Sequence, residues 1–167
     1  MRLLFSALLL LIGAIATHAQ VPQIERIDIQ KSGIYQGDVV AKIELKDSPI
    51  GTVDILKNPT IVEETTTVAA KVGVRFGTQY LVVGTPKGAG VPLKFVIVFP
   101  EQGLRQPGTP EPIYQNDYVA NRKIGDSRYQ GYTFEFDWEL VPGVWKFQIW
   151  HESRKLAEQA FTVTRSP

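Results

Sequence analysis

The chain has 167 residues, a formal net charge of +1 and no cysteine. Its basic and acidic side chains nearly balance, so it has no strong field to attract nucleic acid or an anionic membrane. Disulfides are excluded, and a protein of this kind must be held by its apolar core alone. A single domain of this size buries roughly 68–70% of the surface of its unfolded chain, which is sufficient for folding without covalent cross-links.

The first nineteen residues have the three regions of a secretory signal peptide. Arg2 supplies the positive charge, an apolar run extends from Leu3 to Ile15, and Thr17-His18-Ala19 places small residues at the cleavage position. The apolar run is too short to span a bilayer, which takes about 20 residues. We therefore predict a signal peptide at 1–19, no membrane anchor after its cleavage, and one periplasmic or secreted domain at 20–167.

Apolar and polar residues alternate at a period of two along most of this domain, as in strands with one buried face. The weaker patterns lie at Ile24–Ile29, Thr52–Leu56, Ile61–Thr66 and Tyr80–Val83, and the stronger ones at Val39–Leu45, Val68–Phe76 and Leu93–Phe99. The reverse side of 93–99 is apolar too, which predicts a central strand covered on both faces. The proline-rich stretch at 100–112 is predicted to be a surface loop within the domain.

The C-terminal part predicts two hairpins. Phe134–Glu139 alternates between aromatic and acidic residues, and Pro142-Gly143 supplies a turn before a strand that carries Trp145 inward. A second turn at His151–Arg154 leads to Lys155–Thr164, whose β-branched end favours a strand over the helix that its apolar residues also fit. Seven to nine short strands with Gly and Pro turns predict an all-β, antiparallel, immunoglobulin-like sandwich without a disulfide.

Four stretches carry a family resemblance: Val91–Pro100, Gly103-Leu104, Tyr132–Trp150 and Lys155–Val163. They resemble a family of small, mostly bacterial proteins, domain-of-unknown-function family 3859. The shared residues are core and turn positions, not a catalytic signature. The resemblance therefore implies a fold and an exported bacterial protein, with no activity attached.

The sequence offers little for catalysis. His151 is the only histidine after residue 19, so it cannot furnish a zinc site built from Cys and His ligands. Without an identifiable orienting group, His151 is interpreted as a solvated turn residue and not as a general base. No serine has a nucleophile-elbow pattern, and Gly84–Gly90 is interrupted by proline and followed by a strand, unlike a phosphate-binding loop. We predict no catalytic residue, no cofactor, no metal and no nucleic-acid partner.

The best remaining candidates for acid–base catalysis are three acidic residues, Glu135, Asp137 and Glu139. Alternate residues of one strand place carboxylates on one face about 7 Å apart, a separation that suits paired carboxylates in glycoside hydrolysis. The alternative is that these three residues form the solvated face of an amphipathic strand, and the intervening aromatic residues favour it.

The segment from Tyr114 to Tyr132 is rich in tyrosine and arginine among small polar residues, a composition typical of recognition surfaces. The residues that we predict to contact a partner are Tyr118, Arg122, Tyr129, Tyr132 and Trp150. The alternative is that two of the tyrosines pack on the sheet and the rest decorate a long loop.

Three functional hypotheses follow. The first is an exported, non-catalytic β-sandwich that binds a protein or a cell-envelope component through its loop surfaces. The second, a variant of the first, is an inhibitor of an exported hydrolase, with the proline-stiffened loop Gln102–Pro112 entering the cleft of the enzyme. The third is a carbohydrate-active enzyme that uses the three carboxylates.

Overall fold

Nine strands and one short 3-10 helix make up the part of the chain that the computed structural model describes, residues 20–44 and 52–165. The strands are β1 Gln23–Glu44, β2 Thr52–Glu64, β3 Thr67–Ala70, β4 Arg75–Thr85, β5 Gly90–Val98, β6 Gln115–Lys123, β7 Ser127–Thr133, β8 Gly143–His151 and β9 Arg154–Arg165, and the 3-10 helix is Asp137–Glu139. The signal peptide predicted at 1–19 lies outside the described residues. No helix among the described residues is long and apolar enough to cross a bilayer.

The strands form the two sheets of a sandwich. One sheet has the order β2-β1-β4-β7 and the other has the order β3-β9-β8-β5-β6. The pairs are antiparallel except for β3 with β9, which is parallel. The immunoglobulin-like, disulfide-free sandwich predicted from the alternation is therefore confirmed. The predicted strand 155–164 is confirmed as well, since β9 pairs with β8 through a turn after His151.

The core consists of two clusters between the sheets. In the first, Trp145 is fully buried among aromatic rings, and in the second, Leu93 and Phe95 are at most 1% exposed. The predicted central position of 93–99 is confirmed because β5 lies between β8 and β6. Val96, on the reverse face of β5, is only 6% exposed. Lys94 and Val98 on this face are half-buried and Pro92 is exposed, so the predicted cover on both faces is found only around Val96.

The predicted hairpin of Phe134–Glu139 with the Trp145 strand is wrong. Phe134 enters the core, but Phe136 is 54% exposed; the chain then turns into the 3-10 helix, where Trp138 packs half-buried against the core, and β8 pairs with β5 and β9 instead. The local cause is Glu139, whose carboxylate accepts hydrogen bonds from the backbone N–H groups of Glu135 and Phe136. Such side-chain bonds to the backbone compete with a strand ladder, and the period-two pattern does not reveal them.

Three other predicted boundaries differ from the structure. Val68–Phe76 is divided between the two sheets as β3 and the start of β4, with Gly73 at a φ of +89° in the turn between them. The weak pattern at 52–56 and most of that at 61–66 belong to one strand, β2, which passes through Asn58 at a positive φ of 49° and ends at Glu64. The segment Tyr114–Tyr132, in which no strand was predicted and for which a long loop was the alternative to a recognition surface, contains β6 and most of β7. In the first two cases alternation was read correctly but the points where strands begin and end were not, and in the third no strand was predicted.

The second half of β1 projects past the end of β4. Up to Ile34, β1 pairs with β4, whereas Tyr35–Glu44 pairs only with β2. This two-stranded ribbon, residues 35–44 with 52–61, is called the arm below. The apolar face predicted to be buried at Val39–Leu45 is exposed, with Val39 at 43% and Ile43 at 49%; Leu45 itself lies outside the described residues. No second sheet covers the described part of this face.

Candidate functional site

A cleft of about 1050 Å³ lies where the sandwich is open on one side. Its walls are β6 and β7, the last strands of their respective sheets, and the arm. Residues 118–123 of β6 all line it, as do residues 126–129 at the start of β7. Successive side chains of a strand point to opposite faces, so an unbroken run of lining residues means that the strand edges border the cleft.

The arm is fixed against the edge of β7 by aromatic and charged contacts. The Tyr35 and Tyr129 rings lie 5.9 Å apart, and the Tyr35 hydroxyl lies so close to Gly131 that a Cβ there would clash with it. Toward the far end, Asp54 accepts a hydrogen bond of 3.2 Å from Arg75. A glycine at position 131 is therefore a condition for the arm to lie where it does.

One ion pair holds the arm near the end of β7. The Lys42 ammonium is 2.6 Å from the Glu135 carboxylate and 3.4 Å from the Asp54 carboxylate. The hydrogen bond from Glu135 raises the pKa of the Lys42 ammonium. Because Lys42 is exposed, this pair adds little stability by itself, and it mainly orients the ribbon over the cleft.

Two of the residues predicted to contact a partner, Tyr118 and Arg122, lie four positions apart on β6 in the wall of the cleft. The Tyr118 ring stacks on Phe95 at 5.2 Å, and the Arg122 guanidinium lies 5.1 Å from the centre of the same ring. The Arg122 Nε donates a hydrogen bond of 3.1 Å to the Tyr80 hydroxyl. Burial raises the pKa of the Tyr118 phenol to about 12. The two side chains are thus held rigidly by the core beneath them.

The other three predicted contact residues are scattered. Tyr129 is half-buried in the cleft wall, where burial raises the pKa of its phenol. Tyr132 lies in the core at 5% exposure and donates a hydrogen bond of 2.7 Å to Glu139, so we leave it out of the surface. Trp150 is on β8, away from the cleft lining. Its indole N–H donates a hydrogen bond to Gln148, and the Lys155 ammonium lies over its ring.

The three carboxylates do not share one face of a strand. Glu139 is 4% exposed and is bonded to the Tyr132 hydroxyl and to two backbone N–H groups. Glu135 pairs with Lys42, and Asp137 is exposed. Both expectations for these residues are therefore wrong: they do not lie on one strand face, as paired carboxylates of an enzyme would, and they do not form a uniformly solvated acidic face. Among residues 20–44 and 52–165, no group of three acidic or histidine side chains is placed to hold a metal ion.

His151 is the last residue of β8 and not part of the turn itself. Its Nδ1 lies 3.0 Å from the carbonyl oxygen of Pro92 on β5. This contact is a structural link between neighbouring strands of one sheet.

Sequence reasoning missed the apolar rim of the cleft. Ile43 and Ile55 of the arm are 49% and 38% exposed, and Val119 of β6 is 66% exposed. Tyr35, which fixes the arm, was also missed. Alternation assigned Ile43 to a buried face, and only knowledge that β1 extends past its neighbour β4 would have shown that this face has no cover.

The family model described as Domain of unknown function (DUF3859) matches residues 23–163. The chain therefore belongs to this family, as the resemblance in its sequence indicated. Its fold is similar to the crystal structure of an immunoglobulin-like protein from Pseudomonas aeruginosa, with 23% identity and a TM-score of 0.53 over 83% of this chain and 96% of that one. At this identity the similarity supports the fold alone. No curated protein matches the sequence.

Proposed function

We propose that this protein is exported and acts without catalysis, by binding a protein or a cell-envelope component in the cleft between β6, β7 and the arm. The observation that carries the proposal is the combination of two strand edges with an exposed apolar rim in one concave site. Exposed apolar side chains grouped in this way are typical of interaction sites.

The chemistry of the cleft wall supports a binding role. Tyrosine and arginine are enriched where proteins bind each other, and they lose little entropy on binding when they are already held in place. Tyr118 and Arg122 meet this condition because both contact Phe95. Tyr129, held by its ring contact with Tyr35, lies on the β7 wall of the same cleft.

Site-specific photo-cross-linking in cells tests the proposal. A photoreactive residue at Val119, on the cleft rim, should form a discrete cross-linked product with one partner. The matched control is Val72, which is also an exposed valine, at 45%, but lies outside the cleft lining. Equal labelling from both positions, or none from either, would contradict the proposed site.

Export is tested separately. The intact mass of the protein recovered from the periplasm or medium should correspond to a chain that begins at Gln20, because the sequence before it has the pattern of a signal peptide. A cytoplasmic product that keeps residues 1–19 would contradict export while leaving the binding site open to the cross-linking test.

One observation favours the hydrolase inhibitor as a second candidate. The loop 102–112 is anchored at its base, where the buried Leu104 pairs with Ile113. Beyond this bridge, residues 107–111 are exposed. A firmly based, proline-stiffened loop suits insertion into the cleft of a partner. Replacing residues 106–110 with a short Gly-Ser linker should abolish partner capture under this alternative and leave it unchanged under the preferred one.

A further inference from the structure

The backbone of β6 has one paired edge and one open edge. Two bonds outside the strand fix which residues face which way: Phe99 N–H donates to Tyr114 O, and Ile124 N–H donates to Ala89 O, both at 2.9 Å. Hydrogen-bonded positions alternate in an antiparallel ladder, and the β5–β6 register runs without a shift. The even-numbered residues of β6 therefore bond to β5, and the odd-numbered residues direct N–H and C=O away from it.

The open edge consists of Gln115, Asp117, Val119, Asn121 and Lys123. Two of its carbonyls are engaged close to the turn, Asn121 O by the Arg122 guanidinium and Lys123 O by the Asp126 N–H. No described strand pairs with this edge. Long regular edges are usually blocked by a bulge, proline or charge. The segment 115–123 has no bulge and no proline, and its outward-edge charges, Asp117 and Lys123, lie on either side of the 66% exposed Val119, with Asp117 already paired with Lys94.

The edge of β7 is less accessible than that of β6. Gly131, near its middle, has the Tyr35 hydroxyl against it, and Tyr129 is in contact with the Tyr35 ring. A ligand entering the cleft therefore finds its continuous row of backbone groups on the β6 side.

Charge and apolar surface indicate what would occupy that edge. Near the turn end, the lining of the cleft contains Arg122 and Lys123 on β6 and Arg128 on β7, and the carboxylate of Asp126 beside them is already paired with Arg128 at 3.1 Å. Along the arm, Ile43 and Ile55 offer apolar surface. The complementary ligand is an extended peptide with an acidic side chain at one end and apolar side chains at alternate positions.

We propose that β6 is a strand-addition site, at which an extended, acidic and apolar segment of a partner protein pairs with the odd-numbered residues from Gln115 to Val119. This inference rests on the proposed function, because the paired segment ends at Val119, on the rim of the same cleft. Main-chain hydrogen bonds supply affinity in this mode of binding, and alternate side chains supply specificity.

The test uses the protein purified after expression of the full sequence, with a display library of random nine-residue peptides as the probe. An enriched peptide is then resynthesised with a single N-methyl group at each position in turn, and binding is measured by fluorescence anisotropy. Methylation at alternate positions should weaken binding ~10-fold or more, because each removes one inter-strand hydrogen bond and inserts a methyl group. The intervening positions should change binding by less than ~3-fold.

A pair of variants tests the protein side. Val119→Pro removes the central outward N–H at a place where an edge strand tolerates proline, and it should weaken binding ~10-fold. Val119→Thr keeps the N–H and the branched shape, and it should bind like the wild type. Lys123→Glu should weaken binding up to ~5-fold, whereas Lys146→Glu, an exposed charge outside the cleft, should not. If Val119→Pro fails to fold, the N-methyl series on the wild type decides.

The outcomes separate the two proposals. Loss of binding without a period-two response to methylation would overturn strand addition, and a cross-link at position 119 would then still support the proposed cleft. Failure to enrich any peptide would also overturn strand addition. A wild-type dimer that becomes monomeric with Val119→Pro would assign the edge to a second copy of the chain and overturn the proposal in the same way.

Discussion

Apolar side chains are buried in one region of this molecule, the cluster around Trp145, and exposed in another, the cleft beside β6. Around Trp145, the rings of Phe76, Phe99, Tyr132 and Phe134 lie within 5.7 Å, and all are at most 5% exposed. Around the cleft, apolar side chains on the arm and on β6 remain 38–66% exposed. Thus the same alternating pattern is found in a closed core, where two sheets face each other, and along the arm, where β1 extends past the end of β4 and its apolar face stays exposed.

Trp145→Ala provides the largest contrast. The substitution should lower the free energy of unfolding by about 3–5 kcal/mol, because it removes buried area and leaves a cavity among rigid rings. Val119→Ala on the cleft rim should change it by less than about 0.5 kcal/mol, as a surface substitution. Urea unfolding monitored by fluorescence and circular dichroism measures both. Similar losses at the two positions would mean that the cleft rim is buried in solution.

Glu139→Ala tests whether the acidic residues differ as the structure indicates. The change leaves the Tyr132 hydroxyl and two backbone N–H groups without their acceptor, which should cost about 2–3 kcal/mol. Asp137→Ala, at an exposed neighbouring position, should cost less than about 0.5 kcal/mol, and Glu135→Ala less than about 1 kcal/mol. Urea unfolding again serves as the measurement. Equal costs for the three variants would restore the interpretation as a uniformly solvated face.

These two contrasts also mark how much the sequence predicts. The inward face of β8 and the central position of β5 follow from alternation, because burial on one face or on both leaves a direct imprint on residue types. The turn after His151 can also be predicted from its polar sequence, and the absence of disulfides follows from the absence of cysteine. The class of fold could therefore be predicted without coordinates.

The cleft could not be predicted in the same way. Tyr118 and Arg122 were identified by composition, but their shared contact with Phe95 depends on the β5–β6 register. Tyr132 has the same composition signal and is buried instead, since β7 turns its even-numbered residues inward. The open edge of β6 is a property of which strand comes last in its sheet, and no local pattern records strand order.

Alkaline pH should weaken the fold through its buried tyrosines. Burial raises the pKa of Tyr35, Tyr80, Tyr118 and Tyr132, with that of Tyr118 reaching about 12. Below pH 10 both the folded and the unfolded chain keep these phenolic protons, so this contribution to stability is constant. Above about pH 10 the unfolded chain loses them first, so stability should fall, by about 2 kcal/mol for Tyr118 alone as the pH approaches 12.

Urea titrations between pH 9 and 11.5, combined with phenolate absorbance, measure this effect. Tyr118→Phe keeps the ring on Phe95 and removes one titrating group, so it should reduce the slope of stability against pH. A slope unchanged in this variant would mean that Tyr118 is not buried by the neighbouring strands. A flat profile in the wild type would contradict burial of the whole tyrosine set.

The smallest expected effect on stability is at the arm, where it separates binding from folding. Ile43→Ser and Ile55→Ser should each change the free energy of unfolding by less than about 0.5 kcal/mol, because the side chains are already in contact with water. The buried control is Val82→Ser, at 0% exposure in the second cluster; it should cost more than about 2 kcal/mol through lost apolar burial and an uncompensated hydroxyl. Partner cross-linking from position 119 should nevertheless fall in both arm variants. A large loss of stability in Ile43→Ser would show that this side chain contributes to the core. Its apolar character would then be explained by folding and would no longer support a binding role.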